Sequence, residues 1–174
     1  MIFYKTYNYK SFNPSKFLDF LPDVCCHTDM TTYVCTKTDH DKIRQALNID
    51  YRIYSALYFC VGPKINNHIH IDSKLKAKYF PKIALNIPLE NCHDTRMFWY
   101  QSLDIEKESF MLGPSRGDKI PYLPFDNAKL LKEVCITKPT FIRIDKWHNI
   151  ENFNNEVCAK ILSVRFFDSK YFQY

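Results

Sequence analysis

No apolar run in this chain approaches the length of a membrane span, and Met1 to Lys10 is tyrosine-rich and polar rather than signal-like. There is no Cys-x-x-Cys. The 7 cysteines are an odd number with no repeated spacing, which argues against a disulfide framework. Cys25-Cys26-His27 and Cys92-His93 are chain neighbours, and such neighbours rarely chelate one tetrahedral ion together. Thiols idling in a reducing compartment are the expectation. Basic tails and dense Lys/Arg runs are missing too, so a formal net charge of +5 reads as background and not as dedicated nucleic-acid binding. Internal repeats, low-complexity tracts and linkers are also absent. Together these absences point to a cytoplasmic protein, in a host cell's cytoplasm if its source is viral, without membrane or nucleic-acid partners.

What the chain does have is aromatics, 12 Tyr and 14 Phe, and 174 residues, enough for one domain with a single substantial core. Of its 3 glycines, Gly113 and Gly117 share Gly113-Pro114-Ser115-Arg116-Gly117-Asp118, text that fits a substrate-covering loop or a hairpin turn. Asn13-Pro14 ahead of Ser15 to Phe20 reads as a cap, a first-turn proline and a short helix. Asp39 to Leu47 reads as a second helix, with Ile43, Ala46 and Leu47 on one side. Thr31 to Thr36 is β-branched and aromatic, hence a strand. From Tyr51 strands predominate: Tyr51 to Val61, Ile65 to Asp72, Lys82 to Leu89, Thr95 to Gln101, Thr140 to Asp145 and Lys160 to Phe167. Asp104 to Phe125 reads as loop with a short helical or strand piece, and Asn127 to Cys135 fits either a short helix or a strand. Residues 1–50 thus form a helical flank, and 51–167 a mostly-β barrel or sandwich.

In the strand-like Asn67-His68-Ile69-His70-Ile71-Asp72, His70 and Asp72 are two apart and share one face. A distant His148 completes two imidazoles and one carboxylate, a facial set that suits non-haem Fe(II) and leaves positions open for substrate and oxygen. His68 lies on that face as well, so a His68/His70 pair competes with His70/Asp72. Alternation in the last strand sets Ile161, Ser163 and Arg165 against Lys160, Leu162, Val164 and Phe166. Arg165 is thereby aimed either at solvent or into a polar cavity.

His70-x-Asp72, then His148, then Arg165 in a closing strand resembles the 2-oxoglutarate- and Fe(II)-dependent dioxygenases, in particular their small viral and bacterial members. The likeness extends to Phe80-Pro81-Lys82-Ile83-Ala84-Leu85-Asn86-Ile87-Pro88-Leu89 and to Asn91-Cys92 running into Phe98-Trp99-Tyr100. It includes the Trp147-to-Asn152 turn and the closing Ile161-Leu162-Ser163-Val164-Arg165-Phe166, and spans Tyr51 to Phe167. It implies a double-stranded β-helix, the jelly-roll or cupin-like fold, with Fe(II) on His70, Asp72 and His148. It also implies 2-oxoglutarate as cosubstrate and hydroxylation of a small molecule or of an amino-acid side chain, free or in a peptide. By the same likeness a cation binds the far carboxylate of 2-oxoglutarate. Arg165 suits that task, because a guanidinium grips a planar carboxylate with two prongs. Lys160 is the substitute, beside Ala159, where many members carry the cation; the two face opposite ways, so only one can serve. Asn86, Tyr58 and Tyr100, on strands flanking the ligand strand, are further candidate contacts to the cosubstrate.

The cupins resemble the competing ligand set, with Gly62, His68-x-His70, and later His148 and Asn152, and imply a metal-binding isomerase or epimerase. Lys74 and Leu75 stand where their motif expects a Glu, which favours the dioxygenase set. A β-helix domain that binds a partner without catalysis is a third reading. Lys74, Lys76, Lys78 and Lys82 read as a solvated basic loop, able to draw an acidic substrate if it borders a site. Trp99 and Trp147 read as core or pocket wall, and His27, His40 and His93 as exposed or locally bonded.

Overall fold

The computed structural model of the chain describes residues 2–7, 12–24, 30–64, 68–72, 81–104, 109–112 and 119–167. Cys25, Cys26, His27, Lys74, Lys76, Lys78 and the Gly113 to Asp118 segment lie outside them. The described residues form two antiparallel six-stranded sheets. With strands numbered along the chain, the first sheet runs β1 (Tyr4–Thr6), β10 (Thr140–Arg143), β5 (Ile83–Glu90), β12 (Ala159–Phe166), β3 (Ile53–Val61), β2 (Met30–Val34). The second runs β7 (Ser109–Leu112), β8 (Lys119–Leu123), β4 (Ile69–His70), β11 (His148–Asn152), β6 (Thr95–Ser102), β9 (Ala128–Cys135). The molecule is mostly β, a two-sheet sandwich with helices against one side.

Strand periodicity explains how the first sheet is covered on both faces. Tyr58, Leu85, Ile87, Leu162, Val164 and Phe166 pack with Phe17, Leu21, Ile43 and Leu47 from the N-terminal third. Those last four belong to or adjoin α1 (Ser15–Leu18) and α2 (Lys37–Leu47). The alternate residues face the second sheet, where Ala84 and Ile142 meet Met97, Trp99, Ile136 and Ile144. Cover on two faces is why Ile83 to Leu89 is buried throughout. Pro88 sits in that strand without breaking a ladder on both sides. The pairing with β10 stops at Asn86, and the register with β12 shifts between Lys160 and Ile161. Proline is tolerated at such an edge or bulge.

The helix starts follow from short polar side chains. The Asn13 carboxamide oxygen accepts from the Ser15 backbone N–H (3.0 Å). At α2, Thr36 and Asp39 form a capping box, each side chain accepting from the other's backbone N–H (3.2 and 2.7 Å). The helix ends at Asn48, left-handed at φ 52°.

The structure decides two segments that the sequence left open and departs from the expectation at two others. The Asn127 to Cys135 stretch is the strand β9, and the described part of Asp104 to Phe125 includes the paired strands β7 and β8. The turn expected at Trp147 to Asn152 opens into strand β11 at His148. Tyr4–Thr6 adds an edge strand that the polar N-terminus did not signal. Among the described residues, no helix is long and apolar enough to cross a membrane. Cys35, Cys60, Cys92, Cys135 and Cys158 carry no disulfide. Burial pushes the Cys35 thiol up to about 12 and the Cys92 thiol up to about 11, so neither is a reactive thiolate at neutral pH.

Candidate metal centre

The second sheet brings the two imidazoles together by register. β4 and β11 are antiparallel neighbours, and His70 lies directly opposite His148. Both rings therefore project from one face, with centroids 4.6 Å apart. Asp72 follows two residues after His70, and its backbone N–H donates to the Ile144 carbonyl (3.0 Å). Its Oδ1 lies 3.1 Å from His70 Nε2 and 3.8 Å from His148 Nε2. One ligand atom from each of the three residues falls within 4.8 Å of the others. Side-chain exposure falls from 19% at His70 through 12% at Asp72 to 5% at His148, so the group opens to solvent on the His70 side.

Backbone carbonyls aim the two histidines. His70 Nδ1 donates to the His68 carbonyl (2.8 Å), and His148 Nδ1 donates to the Lys146 carbonyl (2.7 Å). A carbonyl oxygen only accepts, so Nδ1 carries a proton in each ring and Nε2 is the atom turned to Asp72, where it donates when the ring is protonated and offers its lone pair to an ion once that proton is lost. Two borderline nitrogens and one hard carboxylate oxygen fit a divalent transition-metal ion.

The opposite sheet adds a cation. Arg165, on β12 between Ser55 of β3 and Ala84 of β5, reaches across the sandwich, and its Nη2 donates to Asp72 Oδ2. The pair is buried, and Arg165 Nη1 is buried with no partner among the described residues. Burial alone would raise the Asp72 pKa. The Arg165 charge and the His70 hydrogen bond outweigh it and hold the carboxyl well below its usual range. Burial lowers His70, but its hydrogen bond and charge interaction with Asp72 prevail and raise it. His148 is pushed down to about 4 by burial and by His70, so at neutral pH it is an uncharged donor.

The other residues singled out in the sequence are scattered over different faces. Asn86 lies opposite Ser163 on the inner face, as Arg165 does, with its Nδ2 3.9 Å from Met97 Sδ and its Oδ1 buried without a partner among the described residues. Lys160 faces away from Arg165. Its Nζ lies 2.9 Å from Glu90 and 3.2 Å from Asp23, and those carboxylates raise its pKa. Tyr58 lies opposite Leu162, so it too is on the helix-covered face, and burial pushes its hydroxyl up to about 12. Tyr100 follows inward-facing Trp99 across a bulge and turns to the outside of the second sheet, where its hydroxyl donates to Asn149 Oδ1 (3.3 Å). Lys160, Tyr58 and Tyr100 therefore do not join the group around Asp72. His68 is exposed and packs edge-on against Tyr122, outside the donor group.

Two neighbours of the site were not legible in the sequence. Tyr122 lies opposite His70 on β8, within the Asp104 to Phe125 stretch whose sequence reads mainly as loop. Trp99 lies opposite His148, fully buried, with its indole N–H on the Arg143 carbonyl (3.0 Å). The aromatic run Phe98-Trp99-Tyr100 signalled a wall, but not which histidine it backs. No protein-family model matches the chain, and no curated protein matches it either.

Proposed function

We propose that the chain is an Fe(II)- and 2-oxoglutarate-dependent oxygenase on a double-stranded β-helix, hydroxylating a small molecule or an amino-acid side chain. The observation that carries this reading is the convergence of His70, Asp72 and His148, from two strands and the segment after one of them, on one point. The strand order supports the fold. Strands β3, β5, β10 and β12 stand side by side in one sheet, and β4, β6, β9 and β11 in the other. Eight antiparallel strands shared in this way between two sheets are the pattern of a jelly roll.

Bound at this point, Fe(II) with a 2-oxo acid would activate O2, the oxidant, for C–H hydroxylation, with the oxo acid supplying two of the four electrons. The chain supplies the rest. His70, Asp72 and His148 are the three residues that would hold the ion, and three protein donors would leave positions for further ligands. The carbonyls of His68 and Lys146 keep both Nε2 atoms pointed inward. The Nη1 of Arg165, buried without a partner among the described residues, is a donor that a carboxylate would satisfy. Trp99, Met97, Ile142 and Ile144 form the dry wall on the buried side. A cupin-type set would need His68 in place of Asp72, and His68 stands outside the group.

The test is anaerobic titration of the protein with Fe(II) and 2-oxoglutarate, read by the weak visible charge-transfer band of the chelate. The band is expected in the wild type and lost in His70→Ala and Asp72→Ala, with succinate formed once oxygen and a substrate are added. Metal binding that survives Asp72→Ala but requires His68 would overturn the reading.

A further inference from the structure

We infer that Arg165 is a positioning residue for the metal ligand Asp72, holding that carboxylate so that only Oδ1 is offered to the ion. The inference rests on the metal reading above and gives Arg165 a task that does not depend on any cosubstrate. Its basis is the geometry of the carboxylate. Oδ1 faces the two imidazoles, at 3.1 and 3.8 Å from their Nε2 atoms. Oδ2 is turned away from them and takes the Nη2–H of Arg165. The two oxygens thus have different partners from different sheets.

Asp72 needs such a hold more than either histidine does. Each imidazole is fixed by a backbone carbonyl at Nδ1, and His148 is fixed by its place in a strand paired on both sides. Asp72 lies beyond the end of β4, tied by its backbone N–H to Ile144. Its carboxylate can rotate about the bond to Cβ unless something takes one oxygen. Arg165 is well placed to do so, because β12 runs between two paired neighbours, β3 and β5, and its side chain is buried. A guanidinium forks, so Nη2 can hold Asp72 while Nη1 stays available to a ligand carboxylate. A carboxylate that binds through one oxygen keeps one more coordination position open than a carboxylate that binds through both.

The test uses Co(II), a redox-stable probe, on the full chain without any oxo acid. Arg165→Met is expected to weaken Co(II) binding by roughly tenfold or more, the usual effect of losing a group that orients a ligand. It is also expected to change the visible Co(II) spectrum, as Asp72 turns both oxygens to the ion. Arg165→Lys keeps the charge without the fork, and serves if the Met variant does not fold; it is expected to show the same spectral change to a smaller degree. A folded variant with wild-type Co(II) affinity and spectrum overturns the inference while leaving the metal site standing. So does selective loss of 2-oxoglutarate, but not pyruvate, from the Co(II)-loaded Met variant when its Co(II) affinity is unchanged, since Arg165 would then only grip the far carboxylate. Absence of Co(II) binding by the wild type overturns the metal reading and this inference together.

Discussion

At His70 and at His148 the same local device occurs, with the ring Nδ1 bonded to the carbonyl two residues earlier. It is built from backbone, so no side-chain motif announces it. The pairing of His70 with Asp72 was legible because they keep a spacing of two, which fixes the face they share. The cation was half legible: alternation placed Lys160 opposite Arg165, but it could not say which face was the cavity. That depends on where the helices dock, and they dock on the Lys160 side. Tyr58 was misplaced for a related reason, because only its register opposite Leu162 shows that it looks away from the site. A prediction follows for Lys160. Lys160→Met is expected to leave Fe(II) and 2-oxoglutarate binding at wild-type strength. It should cost only about 1 kcal/mol, as a partly exposed ion pair does. Equilibrium titration and urea unfolding read the two quantities, and weakened 2-oxoglutarate binding would contradict the assignment of faces.

Among the elements, α2 shows how far local chemistry reaches. Thr36 and Asp39 lie three apart ahead of an apolar stripe, and they form the box that such a spacing permits. Asp39 also accepts from the Tyr33 hydroxyl (3.0 Å), and its pKa is lowered: burial pushes it up, but hydrogen bonds from Thr36 and Tyr33 prevail. A carboxyl lowered on folding stabilises the protein above its unfolded pKa of about 3.9 and loses that contribution as pH falls through its folded value. Asp39→Ala is therefore expected to cost about 1 kcal/mol at pH 7. The gap to the wild type should narrow in urea melts taken below about pH 4; a gap constant down to pH 2 would argue against the box. Strand β9 was the least legible element, because it is an edge strand with Leu130 and Leu131 both exposed. The bulge opposite Trp99 and Tyr100 skips Leu131, which erases the alternation a strand normally shows. Strand β11 is pinned at its far end by Asn152, whose buried amide donates to the Val61 and Val157 carbonyls (3.1 and 2.9 Å). Asn152→Ala leaves the buried Val61 carbonyl without this donor and is expected to cost about 1–3 kcal/mol in chemical unfolding. A loss below about 0.5 kcal/mol would show that water replaces the amide.

For the whole molecule, the sequence divides into a helical flank at 1–50 and a β core at 51–167, and that division does not show how each depends on the other. The helices are not an appendage. α2 lies against β3 and α1 against β5, and Phe17, Leu21, Cys35, Ile43 and Leu47 close the face that carries Tyr58, Leu162, Val164 and Phe166. The same fifty residues supply both outer strands of the first sheet, β1 and β2. β1 also brings Phe3 and Tyr4 against Trp99, the residue behind His148, with ring centroids 5.7 and 6.0 Å away. A sequence pattern shows which residues are apolar, but not that one sheet needs cover on two sides. Burying the four helix-side aliphatic and aromatic chains contributes on the order of 10 kcal/mol. That is comparable with the whole stability of a domain, roughly 5–15 kcal/mol. A chain starting at Tyr51 is therefore expected to lose cooperative unfolding and to aggregate through its uncovered sheet, and to bind no Co(II) even though His70, Asp72, His148 and Arg165 are all present. Circular dichroism melts and Co(II) titration of the truncated chain decide the point. A sharp thermal transition with retained Co(II) affinity would mean that residues 51–167 hold the metal centre without their helices.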